Sequence, residues 1–437
     1  MSSLTVKIDL ISKGIKTRPC RYRTASTNKG VKTDLILKGP PPPPLKNTLR
    51  PRPKERPCPF LHASITSVSG QVVPSLRAAS LPGLEPSCIH AIVTPEMKAH
   101  SRILRDVLKK RGQSYQEHEL HDTHQQAIFD LLDAVHAACA GQSLALNLTG
   151  GTKLMALAAA EWAYACEVPT FYVDTASDQL VLPGRRWEYQ PLPDVLDVTA
   201  LLSAGGYAVT SLDQAAVPAE RRALLRALLE LVCTRGNEGQ RALQSLNACA
   251  QQAKGCPLMA EDRATPTAAW TALLALCEQA GMVQCGNGYL HFPSEAARSW
   301  CNGLWFEEYV RMTLYRMQAH KQIRSWASSV QVSKEQVPNE LDALFSVRNR
   351  LFTIECKTAA MQEKNAGHDN GSVSSMLYKA DSLHDRLGGV FARAMLCSVL
   401  PPGKHELARA EALGIRIVYG KDLLRLDETL LSWASRA

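Results

Sequence analysis

Leu146-Asn147-Leu148-Thr149-Gly150-Gly151-Thr152-Lys153-Leu154-Met155 is a short apolar strand that runs into two glycines, a hydroxyl and a lysine at the head of an alanine-rich helix through Cys166. Glycines let the backbone approach a ligand closely. A helix N-terminus offers unpaired N–H groups and a positive dipole to phosphate, and Lys153 adds a full charge. The stretch is not a Walker A loop, because G-x-x-x-x-G-K-[ST] is absent, and it contains no G-x-G-x-x-G. Taken alone, it reads equally well as a tight strand-to-helix turn.

Working outward, strand and helix alternate. Strands are expected at Ala63 to Val68, Cys88 to Val93, Leu144 to Leu148 and Thr170 to Val173. Between them come a short helix opening at Pro74, a helix from Met97 to Arg111 closed by Gly112, and an apolar stretch at helical spacing from Ile128 to Ala140. That alternation implies an α/β domain with a mostly parallel sheet, whose ligands sit at the carboxyl ends of its strands. The first strand ends at Ser69-Gly70-Gln71 and the second at Thr94-Pro95-Glu96.

Residues 201–298 read differently. Pro218 to Val232 and Thr267 to Gly281 are amphipathic helices, and Gly286 to Phe292 fits a hairpin wing, so this part is expected to be a helical or winged-helix-like connector. From Ser299 the α/β pattern returns: a helix at Leu304 to Met317, strands around Glu340 to Val347 and Leu351 to Cys356, a helix near Tyr378 to Leu387, a strand at Gly389 to Val399, a helix at Glu406 to Gly414 and a strand at Ile415 to Tyr419.

The chemistry of this last third lies in Glu340-Leu341-Asp342-Ala343-Leu344-Phe345 and Phe352-Thr353-Ile354-Glu355-Cys356-Lys357. Alternation along a strand puts Glu355 and Lys357 on one face and turns Ile354 and Cys356 to the opposite, apolar side. An adjacent strand can bring Asp342 beside them. Two carboxylates hold a hard divalent cation through oxygen, and a lysine can orient water or steady charge on a phosphoryl group in transit. The same trio also occurs by chance, as an exposed ion pair on an edge strand.

Together the two signals resemble one family. Ser69-Gly70-Gln71, Val93-Thr94-Pro95-Glu96-Met97 and Asn147 to Met155, in that order, look like a CARF domain, a Rossmann-like dimeric sensor of cyclic oligoadenylates. Asp342 with Glu355-Cys356-Lys357 resembles the PD-(D/E)XK nuclease core, and Trp300-Cys301-Asn302-Gly303-Leu304-Trp305-Phe306-Glu307-Glu308-Tyr309-Val310 matches the nuclease half of the same family. Over residues 61–437 the chain resembles the CRISPR ancillary nucleases that join one CARF domain to one PD-(D/E)XK domain.

The resemblance implies a homodimeric cleft for a cyclic oligoadenylate. Two-fold symmetry favours an even ring, cyclic tetra-adenylate. The cleft is lined by Ser69, Gly70, Gln71, Thr94, Pro95, Glu96, Thr149, Gly150, Gly151, Thr152 and Lys153. The catalytic set it implies is Asp342, Glu355 and Lys357 with Glu308 on the preceding helix, Asp342 and Glu355 holding Mn²⁺ or Mg²⁺. The output is cleavage of DNA, RNA or both. The alternative is a ligand-responsive DNA-binding regulator whose C-terminal domain is inert. A HEPN ribonuclease is disfavoured, because its closely spaced arginine and histidine occur only as Arg56 with His62 and Arg111 with His118.

The expected organisation is therefore a tail at 1–60, a CARF domain at 61–200, the connector at 201–298 and a nuclease domain at 299–437. The net charge of +9 sits in the tail. Residues 1–60 hold 14 Lys+Arg against 3 Asp+Glu, and the rest of the chain is nearly neutral, so any nucleic-acid contact there must come from a local groove. Proline runs at Pro40 to Pro44 and from Pro51 make that tail extended and poor at burying a core. The 13 cysteines are scattered and never form C-x-x-C, which argues against a zinc ribbon or a disulfide framework and for a reducing cytoplasm. No apolar run is long enough for a spanning helix.

Overall fold

The computed structural model describes residues 61–255, 257–359 and 391–436, so the tail at 1–60 and the helix expected at Tyr378 to Leu387 lie outside the described residues. The N-terminal half alternates as its patterning requires: β1 (Ala63–Ser67), α1 (Val72–Ala79), β2 (Cys88–Val93), α2 (Lys98–Lys110), β3 (Ser114–Glu119), α3 (Gln125–Ala138), β4 (Leu144–Asn147), α4 (Lys153–Ala165), β5 (Thr170–Asp174), β6 (Gln179–Leu182) and β7 (Glu188–Pro191). The sheet order is β3-β2-β1-β4-β5-β6-β7. Neighbours from β3 to β5 are parallel, and β5, β6 and β7 pair antiparallel. Every residue of β1 is buried, as a strand with helices on both faces must be. After β1 the chain winds out through β2 and β3, then crosses to β4 on the other side. The strand order thus reverses between β1 and β4, which opens a crevice at their carboxyl ends.

The chain then runs through α5 (Val198–Ala204), β8 (Ala208–Asp213), α6 (Ala219–Thr234), α7 (Gly236–Gln252), β9 (Met259–Glu261), α8 (Ala268–Gln279), β10 (Gln284–Gly286) and β11 (Tyr289–His291). The last two strands and β9 form a small antiparallel sheet against the helices. α9 (Glu295–Ser299) passes through a wide turn into α10 (Trp305–Ala319), followed by β12 (Ser325–Lys334), β13 (Val337–Val347), β14 (Arg350–Lys357), β15 (Ala392–Ser398), α11 (Lys404–Ala412), β16 (Arg416–Tyr419) and α12 (Leu426–Ser435). The second large sheet has the order β16-β15-β14-β13-β12-β8. Its edge strand β8 comes from the stretch read as connector and pairs antiparallel with β12. Sequence periodicity gave no sign of this, because β8 is mostly exposed and carries no apolar alternation.

The helices α1, α2 and α5 form a layer between the two large sheets. Leu76, Leu104, Leu108, Leu201 and Leu202 pack on Ile89, Ala91 and Val93 of one sheet and on Val330, Val332, Leu344 and Leu351 of the other. Each such leucine contributes about 1.5–3 kcal/mol by leaving water, so the two domains share a core. On the far face of the C-terminal sheet, Phe345 and Phe352 stack at 4.8 Å, with Trp433 edge-on to both. Among the described residues no helix is long and apolar enough to cross a membrane.

Candidate functional site

β13 and β14 pair antiparallel from Val347↔Arg350 to Ala343↔Ile354, where the ladder ends. One residue further along, Asp342 and Glu355 stand opposite each other. The Asp342 side chain takes over the pairing: its Oδ2 accepts the backbone N–H of Cys356 at 2.8 Å. Alternation turns Ala343, Ile354 and Cys356 into the core beneath α10 and leaves Glu355 and Lys357 on the other face. Lys357 Nζ lies 3.8 Å from Glu355 Oε1, both side chains about a quarter exposed. So loose and wet a pair contributes little to stability.

The helix carboxylate that feels the charges of these residues is Glu307, near the head of α10. Burial, followed by the neighbouring charges of Asp342, Glu340 and Glu355, pushes its carboxyl from the ordinary 4.5 up to about 8, against the pull of Lys357. Glu308, the residue expected from the sequence, is not brought to this cluster. It accepts from Trp300 Nε1 at 2.7 Å and pairs with Arg221 at 3.6 Å and Arg311 at 3.5 Å, which ties α10 to α6. Helix phase could have separated the two. Glu307 lies three and seven residues before Val310 and Leu314, both fully buried, whereas Glu308 is in phase with Arg311 and the exposed Tyr315. The head of α10 is set above the end of β14 by Gly303, whose φ of 136° and close approach to Thr358 leave no room for a side chain.

Among the described residues no three His, Cys, Asp or Glu side chains stand at the spacing of a formed metal site. The donor set nevertheless suits a hard divalent cation. The donors are carboxylate oxygens, and the Glu307 carboxyl, raised first by burial and then by the neighbouring carboxylates, sits where a cation would be favoured.

The second set of residues lies at the crevice. A Cβ on Gly150 would stand 1.8 Å from Ser67 O, so only glycine lets the loop after β4 close against the end of β1. Gly151 follows at φ 82°. Asn147 Nδ2 donates to Thr66 Oγ1 at 3.1 Å across the β1–β4 seam. Thr149 is committed to the fold: its N–H and hydroxyl donate to Asn147 Oδ1, and its Oγ1 accepts from Val173 N at 2.8 Å. Thr152 caps α4 by accepting Met155 N–H at 3.2 Å, leaving Gly151, Thr152 and Lys153 exposed at the helix head. Ser69, whose hydroxyl donates to Gln71 O at 3.0 Å, and the exposed Gly70 and Gln71 follow β1. Thr94, Pro95 and Glu96 follow β2, the next strand over. Its own amide and the Thr94 hydroxyl hold the Glu96 carboxyl below the ordinary range. A carboxylate there suits ribose hydroxyls rather than phosphate.

Comparison with known proteins recognises two domains in the chain. Residues 64–190 match the Card1 CARF domain family, and residues 294–437 match the Card1-like endonuclease domain family. No curated protein matches the chain. Among solved structures, the protein VC1899 from Vibrio cholerae is 27% identical with a TM-score of 0.74, over 85% of this chain and 97% of its own. Can2 from Sulfobacillus thermosulfidooxidans, solved in complex with cyclic tetra-adenylate, shares the fold at 24% identity and a TM-score of 0.68, over 85% of this chain and 99% of its own. The chain thus joins a Card1 CARF domain over residues 64–190 to a Card1-like endonuclease domain over residues 294–437.

Proposed function

We propose that the protein is a cyclic-oligoadenylate-activated, metal-dependent nuclease of type III CRISPR antiviral defence, acting in the cytoplasm on DNA, RNA or both through a PD-(D/E)XK site. The observation that carries this reading is the convergence of Asp342, Glu355, Glu307 and Lys357 at one end of the β13–β14 hairpin. Asp342, Glu355 and Glu307 would hold Mn²⁺ or Mg²⁺; when bound, the cation polarises the phosphoryl group and lowers the pKa of water. Asp342 is kept in place by the Cys356 amide. Lys357, on the same strand face as Glu355, would bring positive charge to the developing phosphoryl oxygens. Glu308 has no part in this set; it braces the helix that carries Glu307.

The crevice is read as the ring site. Gly151, Thr152 and Lys153 offer backbone N–H groups and an ammonium to phosphate at the head of α4, while Glu96 meets ribose. Cyclic tetra-adenylate is the favoured ring, as in the Can2 complex. The partner is a second copy of this chain. Beside the crevice, α4 presents Leu154, Leu157 and Tyr164 at 69%, 67% and 87% exposure, an apolar stripe on a helix that otherwise packs inward. The deciding experiment is cleavage of single-stranded DNA, supercoiled DNA and RNA, with and without cyclic tetra-adenylate and Mn²⁺. Cleavage that needs both additions supports the reading, and no cleavage of any substrate under any condition overturns it.

A further inference from the structure

The hairpin that carries Asp342, Glu355 and Lys357 turns at Arg348 and Asn349, both left-handed, with φ of 52° and 56°. This is the two-residue hairpin geometry, here without a glycine, and the N-terminal domain grips it from two sides. On one side, the Asp194 carboxylate accepts the N–H groups of Arg348 and Asn349 at 2.9 Å each. Asn349 Oδ1 accepts from Val195 N at 2.8 Å and Leu196 N at 3.0 Å, and its Nδ2 donates to Pro193 O.

On the other side stands Asp178, in the β5–β6 turn. It accepts from Arg77 Nη2 of α1 and from Arg350 Nη1 of β14, each at 2.8 Å, with Arg348 at 3.7 Å. The Arg77 and Arg350 side chains are 1% and 5% exposed. Among the described residues, Nε and Nη1 of Arg77 and Nε of Arg350 have no hydrogen-bond partner, so Asp178 supplies the only carboxylate contact either buried guanidinium makes there.

The same turn is tied to the crevice. Val173 of β5 donates to Thr149 Oγ1 in the loop after β4, and two residues beyond Val173 the Thr175 carbonyl accepts from Arg350 Nη2 at 3.2 Å. One strand therefore joins the loop of the ring site to the base of the strand that bears Glu355.

We propose that Asp178 is a positioning residue: it fixes Arg350, and with it the β13–β14 hairpin, to the β5 end of the ring-binding loop, so that ligand binding reaches the nuclease residues through this contact. The role assigned to the ligand rests on the reading above; the grip on the hairpin does not. A ligand shifts such an arrangement only by preferring one state of the contact to the other, and a half-buried carboxylate shared by two buried guanidiniums is a point where two states are discrete.

Hydrogen exchange on the full-length protein tests the grip without ligand. Asp178→Asn should speed exchange across residues 347–357 about tenfold, the span of an ordinary coupling, while Asp178→Glu should not. Unchanged exchange in a folded Asp178→Asn protein overturns the grip. The relay is tested with cyclic tetra-adenylate. Asp178→Asn should still bind the ring, measured by calorimetry, and keep its ligand-free cleavage, but lose about tenfold of the ligand-stimulated increase, with recovery in Asp178→Glu. Full stimulation in Asp178→Asn overturns the relay. If Asp178→Asn does not fold, Asn349→Gly takes its place, since glycine is at ease at φ 56° while the three hydrogen bonds of the Asn349 side chain to Pro193, Val195 and Leu196 are lost; it loosens the same hairpin and should show the same two losses, and an unaltered response overturns the proposal. A wild-type protein that binds no ring counts against the functional reading and the relay together, and the ligand-free exchange still decides the grip.

Discussion

Asp342 and Cys356 are joined side chain to backbone at 2.8 Å, at the rung where the β13–β14 ladder stops being a ladder. The hydrogen bond satisfies an amide that the diverging strand has abandoned, and it fixes the carboxylate beside Glu355. The carboxylate that closes the ladder is thus also the one the proposed reading assigns to the cation.

That relationship sets the first prediction. Asp342→Asn keeps the shape and the acceptor for Cys356 N–H, so the fold and the melting temperature should hardly change. Metal-dependent cleavage should fall by roughly 100-fold or more, the scale of removing one pre-set electrostatic group from an active site. Calorimetric affinity for cyclic tetra-adenylate should stay the same. Wild-type cleavage by this variant would take Asp342 out of the site.

Glu307 gives a pH dependence. Its carboxyl is raised from 4.5 to about 8, so the folded protein holds this proton more tightly than the unfolded chain does. For a raised pKa the stabilising contribution is complete below the unfolded value and is lost as pH climbs through the folded value. In the presence of chelator, the stability contributed by Glu307 should therefore decline from about pH 4.5 to about pH 8. Glu307→Gln should flatten that decline in thermal melts. Because cation and proton compete for the group, Mn²⁺ should bind more tightly across the same window and release protons as it binds, which calorimetry in buffers of different ionisation enthalpy detects.

Much of this was legible in the sequence, and the gaps have physical causes. The parallel strands showed because both faces are buried, as in β1 and β2. β3 and β8 were missed because they are largely exposed edge strands with no apolar alternation. Glu355 and Lys357 could be placed on one face because strand alternation is strict. The sequence reading takes Glu308 rather than Glu307 because adjacent helical residues differ by only about 100°, and only the phase of Val310 and Leu314 separates them. The grip of Asp178 on Arg350 joins residues 172 apart in sequence, and no local pattern encodes it.

The glycines of the crevice should behave differently from one another. Gly150→Ala places a Cβ 1.8 Å from the Ser67 carbonyl, and backbone on both sides cannot easily give way. The expected loss is about 1–3 kcal/mol, as for other overpacked sites, together with weaker ring binding. Gly70 has nothing within 4 Å of the same position, so Gly70→Ala should unfold at the wild-type denaturant midpoint. Equal midpoints for the two variants would show that the loop is not closed against β1.

The last prediction concerns the exposed face of α4. Leu154 and Leu157 lie on the first turns of the helix whose head carries Thr152 and Lys153, and Tyr164 continues the stripe near its far end. Met155, Ala158, Ala159 and Trp162 already supply the contacts α4 needs with its own domain. An outer apolar stripe therefore adds nothing to the monomer's core, and leaving it in water is unfavourable by about 25 cal/mol per Å². A second copy packed there would place two loops of the Gly151–Lys153 kind around one axis, as a two-fold ring requires. Leu157→Glu should consequently turn a dimer into a monomer by light scattering and leave the fold intact by circular dichroism. It should weaken cyclic tetra-adenylate binding without touching the nuclease residues, so ligand-free metal-dependent cleavage should persist. Lys153→Ala should weaken the ring by about 1.5–3 kcal/mol, the value of a charge-assisted contact, and leave the dimer whole. The two variants thus separate loss of the partner from loss of the phosphate contact. A Leu157→Glu protein that remains a dimer with undiminished ring affinity would place the partner on another face.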